Sequence, residues 1–158
     1  IFAQDGRDGA LYLVAQHYHA GKTDDWWLAR ALELHEEYGI ETFACGADQP
    51  AYIDKFKAAG LNALSAFTSV EPGISAVERK IKGNLLYVVR GSLRQADDEL
   101  KRNHKPQQAQ DEFAGYIWAK KGELPVKEND HGMDAIRYAV AYVDGLGRKV
   151  KKKTSGVW

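Results

Sequence analysis

Asp130-His131-Gly132-Met133-Asp134-Ala135-Ile136-Arg137-Tyr138, near the C-terminal end of the chain, gathers two carboxylates and an imidazole within five residues. Carboxylate oxygens are the donors that hard cations such as Mg²⁺ and Mn²⁺ take, and an imidazole is well suited to moving a proton near neutral pH. The stretch falls where a helix should begin. Val126-Lys127-Glu128-Asn129 reads as strand end and loop, while Ile136, Val140 and Val143 recur behind it at three- and four-residue steps, as on the buried stripe of a helix. Asp130 then occupies the N-cap, and His131 and Asp134, three apart, project from one side of the first turn. Capping and dipole compensation give one acid an ordinary reason to be there; two acids and a histidine exceed it. Asp48 adds a carboxylate from a distant part of the chain, at the end of a predicted strand and ahead of a helix, where α/β sheets place their ligands. Acids converging from separate elements can hold two cations about 3.5–4 Å apart, which stabilise both the attacking and the leaving oxygen of a phosphodiester displacement.

Other chemistries find less support. His17 and His19 alternate along a strand but have no third ligand at zinc spacing. Cys45 sits mid-strand among apolar residues, as a buried inert thiol does. Neither G-x-x-x-x-G-K-[ST] nor G-x-G-x-x-G occurs, so no nucleotide-binding loop is visible. Trp26 and Trp27, at a helix start, suit core and rim better than a base-stacking platform.

The elements that must position the acids follow from turn chemistry and periodicity. Asp5-Gly6-Arg7-Asp8-Gly9 is a turn between a short apolar piece and a long strand over 10–18, so the chain opens on a hairpin. Thr23 caps a helix over 24–38 with Trp27, Ala31, Leu34 and Tyr38 on one face and Gly39 as its stop. A strand over 40–47 leads through Asp48 to Pro50, which opens a helix through Tyr52, Ile53, Phe56 and Ala59, ended by Gly60. Strands over 62–66 and 85–89 flank a helix over 73–82, and a charged helix is expected over 92–102. The apolar residues of 111–118, then a Lys120-Lys121-Gly122-Glu123 turn, predict a β-hairpin near 112–127. This order argues for an α/β fold with antiparallel strands first and parallel ones later, flanked by helices.

At 158 residues, with 44% hydrophobic and 28% charged residues, the chain is long enough for one domain with a sizeable core. One cysteine rules out an intrachain disulfide and a cysteine-only zinc site. No basic n-region or long apolar run marks a signal peptide or a membrane segment, and a start at Ile1 reads as a piece of something longer. The zero net charge is uneven. Arg148, Lys149, Lys151, Lys152 and Lys153 crowd the last eleven residues, so the body keeps all 22 acidic residues against 22 basic ones less those five. Affinity for a polyanion must therefore come from bound cations, a local basic surface or the tail.

Several pieces taken in order resemble the C-terminal nuclease domain of the large terminase subunit of tailed bacteriophages, a ribonuclease H-like family. They are Asp8-Gly9-Ala10-Leu11-Tyr12-Leu13-Val14 with Tyr18 and Gly21-Lys22-Thr23; Ala47-Asp48-Gln49-Pro50-Ala51-Tyr52-Ile53 with Ala59-Gly60-Leu61; Gly73-Ile74; Glu112-x-x-x-Tyr116-x-Trp118; and Asp130 to Tyr138. The resemblance implies a ribonuclease H-like domain over 1–147 with a basic tail over 148–158. It implies a site for Mg²⁺ or Mn²⁺ in which Asp48 is the second acid and Asp134 the third, with Asp130 as a further candidate ligand and His131 beside them. The family's first acid lies on a strand preceding Ile1; Asp5 and Asp8, in turn chemistry, do not take its place.

By the same resemblance the activity would be metal-dependent cutting of concatemeric viral double-stranded DNA during packaging, in the cytoplasm of an infected bacterium. An ATPase motor domain would lie upstream, and the portal protein and small terminase subunit would be partners. Arg148, Lys149, Lys151, Lys152 and Lys153 would grip DNA or dock on the portal. Two other readings stand beside it: a non-catalytic docking module of the same fold, and another ribonuclease H-like nuclease such as a junction resolvase or transposase.

Overall fold

A computed structural model describes residues 1–46, 50–117, 125 and 128–147. In chain order the elements are β1 (Phe2–Gln4), β2 (Leu11–Leu13), β3 (Gln16–His17), α1 (Asp24–Tyr38), β4 (Phe43–Cys45), α2 (Pro50–Ala58), β5 (Ala63–Ser65), α3 (Val70–Lys82), β6 (Leu86–Val88), β7 (Leu93–Gln95), α4 (Asp98–Arg102), α5 (Ala109–Glu112) and α6 (His131–Val143).

The opening hairpin forms because its turn is closed by side chains as well as backbone. Asp5 accepts from the Arg7 amide at 2.8 Å, and Asp8 Oδ1 from the Ala10 amide at 2.8 Å, the Asx-type bonds that let aspartate replace a backbone partner. β1 and β2 pair antiparallel with Phe2 opposite Leu13, and β6 adds to the other side of β2 in parallel. The strand expected over 10–18 is interrupted at Val14 and Ala15, and beyond the break β3 pairs in parallel with β7 across a register irregularity at Gln16/His17. β4 and β5 form a separate parallel pair with Cys45 opposite Ser65. Antiparallel pairing thus comes first and parallel pairing later. Among the described residues β1 pairs only with β2 and β4 only with β5, so the sheet is in three pieces.

Two apolar clusters hold the helices to these pieces. Leu11 and Leu13 of β2 meet Ala76 and Val77 of α3 and Met133, Ile136 and Val140 of α6. Ala31 of α1, Ile53 and Phe56 of α2, Leu61 and Ala63 form the second. Burying a side chain the size of Ile136 or Leu11 is worth about 1.5–3 kcal/mol, so the α6 stripe is the main apolar anchor of the helix that carries the acids. Local signals set α1 as expected: Thr23 Oγ1 accepts from the Trp26 amide at 3.3 Å, and Gly39, at φ 61°, closes the helix in the left-handed conformation.

Two expected elements differ. The charged stretch over 92–102 is strand β7 followed by the short α4, because Asp97 caps at that point, taking the amides of Glu99 at 2.9 Å and Leu100 at 3.0 Å. The expected hairpin near 112–127 does not begin as a strand: α5 ends at Glu112, and 113–117 are turn and irregular chain. The reason lies at Glu112, which is 2% exposed; its carboxyl is engaged by α6, which fixes this segment as a helical turn. Within the rest of that hairpin, 118–124 and 126–127 lie outside the described residues.

Candidate functional site

The N-terminal turn of α6 is built from outside the helix. Asp130 occupies the N-cap position, but its side chain makes no capping bond, contrary to the sequence expectation. Glu112 of α5 supplies the bonds instead: Oε1 accepts from the Gly132 amide at 2.9 Å and Oε2 from the Met133 amide at 2.7 Å, the N2 and N3 donors that an N-cap side chain would take. The Tyr18 hydroxyl donates to the same Glu112 Oε1. Burial, reinforced by that bond, raises the Tyr18 phenol pKa, so Tyr18 stays a donor. Gly132 permits the close approach, for a Cβ there would lie 2.7 Å from Ala109 Cα.

One turn on, Asp134 is held by Arg137, whose Nη2 and Nε donate to Oδ1 at 2.6 and 3.2 Å. Arg137 is 3% exposed on a face otherwise made of Met133, Ile136 and Val140. Burial pulls its pKa down, but the hydrogen bond and charge of Asp134 outweigh that and raise it. The guanidinium fits because Gly73 of α3 has no Cβ; one there would sit 3.1 Å from Arg137 Nη1. Arg137 Nη1 also reaches the Ser69 carbonyl at 3.5 Å. Among the described residues Asp134 Oδ2 has only the Tyr138 hydroxyl, at 3.4 Å.

These contacts fix where α6 begins relative to the sheet. Ser69 follows β5, whose last residue Ser65 is in register with Cys45, the last residue of β4, and the Ala66 amide bonds the Cys45 carbonyl at 2.7 Å. At the opposite end, Thr42 Oγ1 and Tyr142 Oη lie 3.0 Å apart. The first turn of α6 therefore lies at the carboxyl ends of the parallel strands β4 and β5. Asp130 and Asp134, four apart, are neighbours along one face of that turn.

His131 is the first residue of the same turn. It is exposed and lines, with His17, Tyr18, Trp27, Ala135 and Ile136, a cavity of about 410 Å³ that Asp134 does not line. His17 and His19 sit in different surroundings. His19 Nδ1 lies 3.3 Å from Asp97 Oδ2, while both His17 ring nitrogens are buried without a partner among the described residues. Burial, then the charge of Arg30, takes the His17 pKa down to about 4. Burial also pushes the Cys45 thiol pKa up, as an inert thiol requires. Asp48 and the tail residues Arg148, Lys149, Lys151, Lys152 and Lys153 lie outside the described residues. Among the described residues no three His, Cys, Asp or Glu side chains converge as a metal site; the donor set at α6 is two carboxylates.

Sequence reasoning left out the supporting residues. Arg137 carried a signal, an arginine on an apolar helical stripe, which needs a counter-charge once buried. Glu112 stood in the sequence only as part of the family pattern and carried no sign of a capping role, since its partners lie 20, 21 and 94 residues away.

No protein-family model matches the chain, and no curated protein matches it. Among solved structures it is similar to the large terminase from a thermophilic bacteriophage, solved in complex with ADP and with ATP-gamma-S. Each superposes with a TM-score of 0.63 at 24% identity, over 85% of this chain and 33% and 34% of theirs. The chain spans about a third of the length of those structures and shares their fold there.

Proposed function

We propose that the chain is the nuclease portion of a phage large terminase, a metal-dependent endonuclease that cuts concatemeric double-stranded DNA during packaging. The observation that carries the reading is the meeting of elements at one sheet end. The first turn of α6, with Asp130 and Asp134, lies where β4 ends, and Asp48 follows the last residue of β4, Cys45, by three positions in the sequence. Ligands of open α/β sheets bind at such carboxyl ends. The α6 donors fit Mg²⁺ or Mn²⁺: Asp134 Oδ1 is held by Arg137 while Oδ2 has no strong partner among the described residues, and Asp130 is released from capping.

Asp48, Asp134 and Asp130 would hold the cations, with a further acid from upstream. A divalent cation held there would supply positive charge to the phosphate and would make a water easier to deprotonate. Arg137 fixes the carboxyl plane of Asp134, as a ligating carboxylate requires. His131, exposed at the same turn, would position water or carry a proton. With an acidic body, such cations and the tail would also supply the attraction for DNA, and the described residues offer no recognition helix for base readout.

Plasmid digestion with Mn²⁺ by the chain extended upstream, beside Asp48→Asn and Asp134→Asn, tests this. Asn keeps an acceptor oxygen for Arg137, so the second variant should fold. Loss of cutting in both is expected; undiminished cutting in both would sink the site. The absence of a third converging ligand among the described residues favours one alternative, a docking module of the same fold. A folded, DNA-binding but inert wild type would establish it. Preference for four-way junctions over linear duplex would point to a resolvase instead.

A further inference from the structure

Three hydrogen bonds converge on one buried carboxyl group. Tyr18, just past β3, donates to Glu112, and Glu112 takes the Gly132 and Met133 amides of α6. The same strand also grips α5 at its other end: Gln16 Oε1 accepts from the Ala109 amide at 2.9 Å, while Gln16 Nε2 donates to Ser92 Oγ and Gln110 Oε1, each at 2.8 Å. Gln16, Ser92 and Glu112 are all buried. β3 thus fixes α5, and α5 fixes the first turn of α6. In an ordinary helix an aspartate at the N-cap position spends its carboxyl on the N2 and N3 amides; here those donors are already taken when Asp130 arrives.

We propose that Glu112 is a positioning residue of the candidate cation site: by capping α6 from α5 it sets the orientation of the first turn and leaves the Asp130 carboxyl available as a ligand. The assignment rests on the metal reading of that site and adds to it a residue that touches neither cation nor DNA. Its replacement should act through ligand orientation, as changes behind metal ligands do.

The test uses the upstream-extended chain, with Mn²⁺ alone as probe, followed by electron paramagnetic resonance of the free ion. Amide resonances of Gly132 and Met133 and thermal melting are read on the same samples. Glu112→Gln is expected to stay folded, to shift both amide resonances and to weaken Mn²⁺ binding by about tenfold or more. Asp130→Ala should weaken binding with the wild-type melting temperature unchanged. In the Glu112→Gln background, where Asp130 becomes free to cap, it should lower melting by about 2–4 °C. Tyr18→Phe, which loosens Glu112 and leaves both backbone bonds, should give a smaller loss of affinity, and it decides the matter if Glu112→Gln does not fold. The positioning role is overturned if a folded Glu112→Gln binds Mn²⁺ as wild type does, if Asp130→Ala lowers wild-type melting as much as it lowers that of Glu112→Gln, or if Tyr18→Phe must decide and changes nothing. A wild type that binds no Mn²⁺ overturns the metal reading itself and the positioning role with it.

Discussion

Asp134 divides its two oxygens between two duties. Oδ1 receives both Arg137 donors, and among the described residues Oδ2 is left with a single long contact to Tyr138. The side chain of Asp134 is 26% exposed and that of Arg137 only 4%, so the pair has one solvated and one buried end, and the arginine depends on the acid more than the reverse. The acid was legible in the sequence by its type and spacing; its partner was legible only as a charged residue out of place on an apolar stripe. His17 marks a different kind of residue-level feature. Its folded pKa of about 4 lies below the ordinary 6.5, so between those values the unfolded chain holds more protons than the folded one. The stability this contributes is present above pH 6.5 and is lost as pH falls through 4. His17→Gln should therefore lose less melting temperature than wild type between pH 7 and 4. Equal losses in calorimetry would exclude His17 as a source of acid lability.

At the scale of elements, α6 is held by an apolar stripe along its length and by polar capping at its start, and the two were not equally readable. Ile136, Val140 and Val143 announce the stripe through periodicity, and the structure buries Ile136 and Val140 against β2 and α3. The cap was assigned to Asp130 because local rules favour the residue in that position, yet a carboxyl from α5 does the work. The same side chain explains why a stretch that reads as a strand from Asp111 instead ends a helical turn at Glu112 and runs on as turn and irregular chain to Ile117: its apolar residues suit either, and a bond from elsewhere decides. The α5–α6 approach is set by Gly132, whose replacement by Ala must push Ala109 backbone away. Gly132→Ala should cost about 1–3 kcal/mol in denaturant unfolding, as overpacking does. Gly115→Ala, whose Cβ would have its nearest neighbour at 3.7 Å, should cost much less. Similar losses at both positions would refute the close-approach account.

Across the whole molecule, α6 joins the apolar cluster on β2 to the β4–β5 pair, with its first turn at the strand ends and Tyr142 beside Thr42 at the other. Charge is divided on the same scale, an acidic body against a basic tail. If that tail grips DNA, removing residues 148–158 should lower DNA affinity. It should also flatten the dependence of log K on log salt by up to about four to five, near 0.9 for each of five phosphates no longer neutralised. An unchanged slope in fluorescence anisotropy would leave the tail out of the DNA interface. By itself the sequence determined the alternation of strands and helices, the antiparallel-then-parallel order, most helix ends and the acids at the start of α6. Those properties are written in local periodicity and turn chemistry. Only the tertiary structure decided that α6 begins where β4 and β5 end, that Glu112 rather than Asp130 caps it, that Arg137 holds Asp134, and that His131 turns to a cavity the acid does not line. Each of these depends on contacts between residues far apart in the chain or on how a packed helix is rotated, and neither leaves a periodic trace in the sequence.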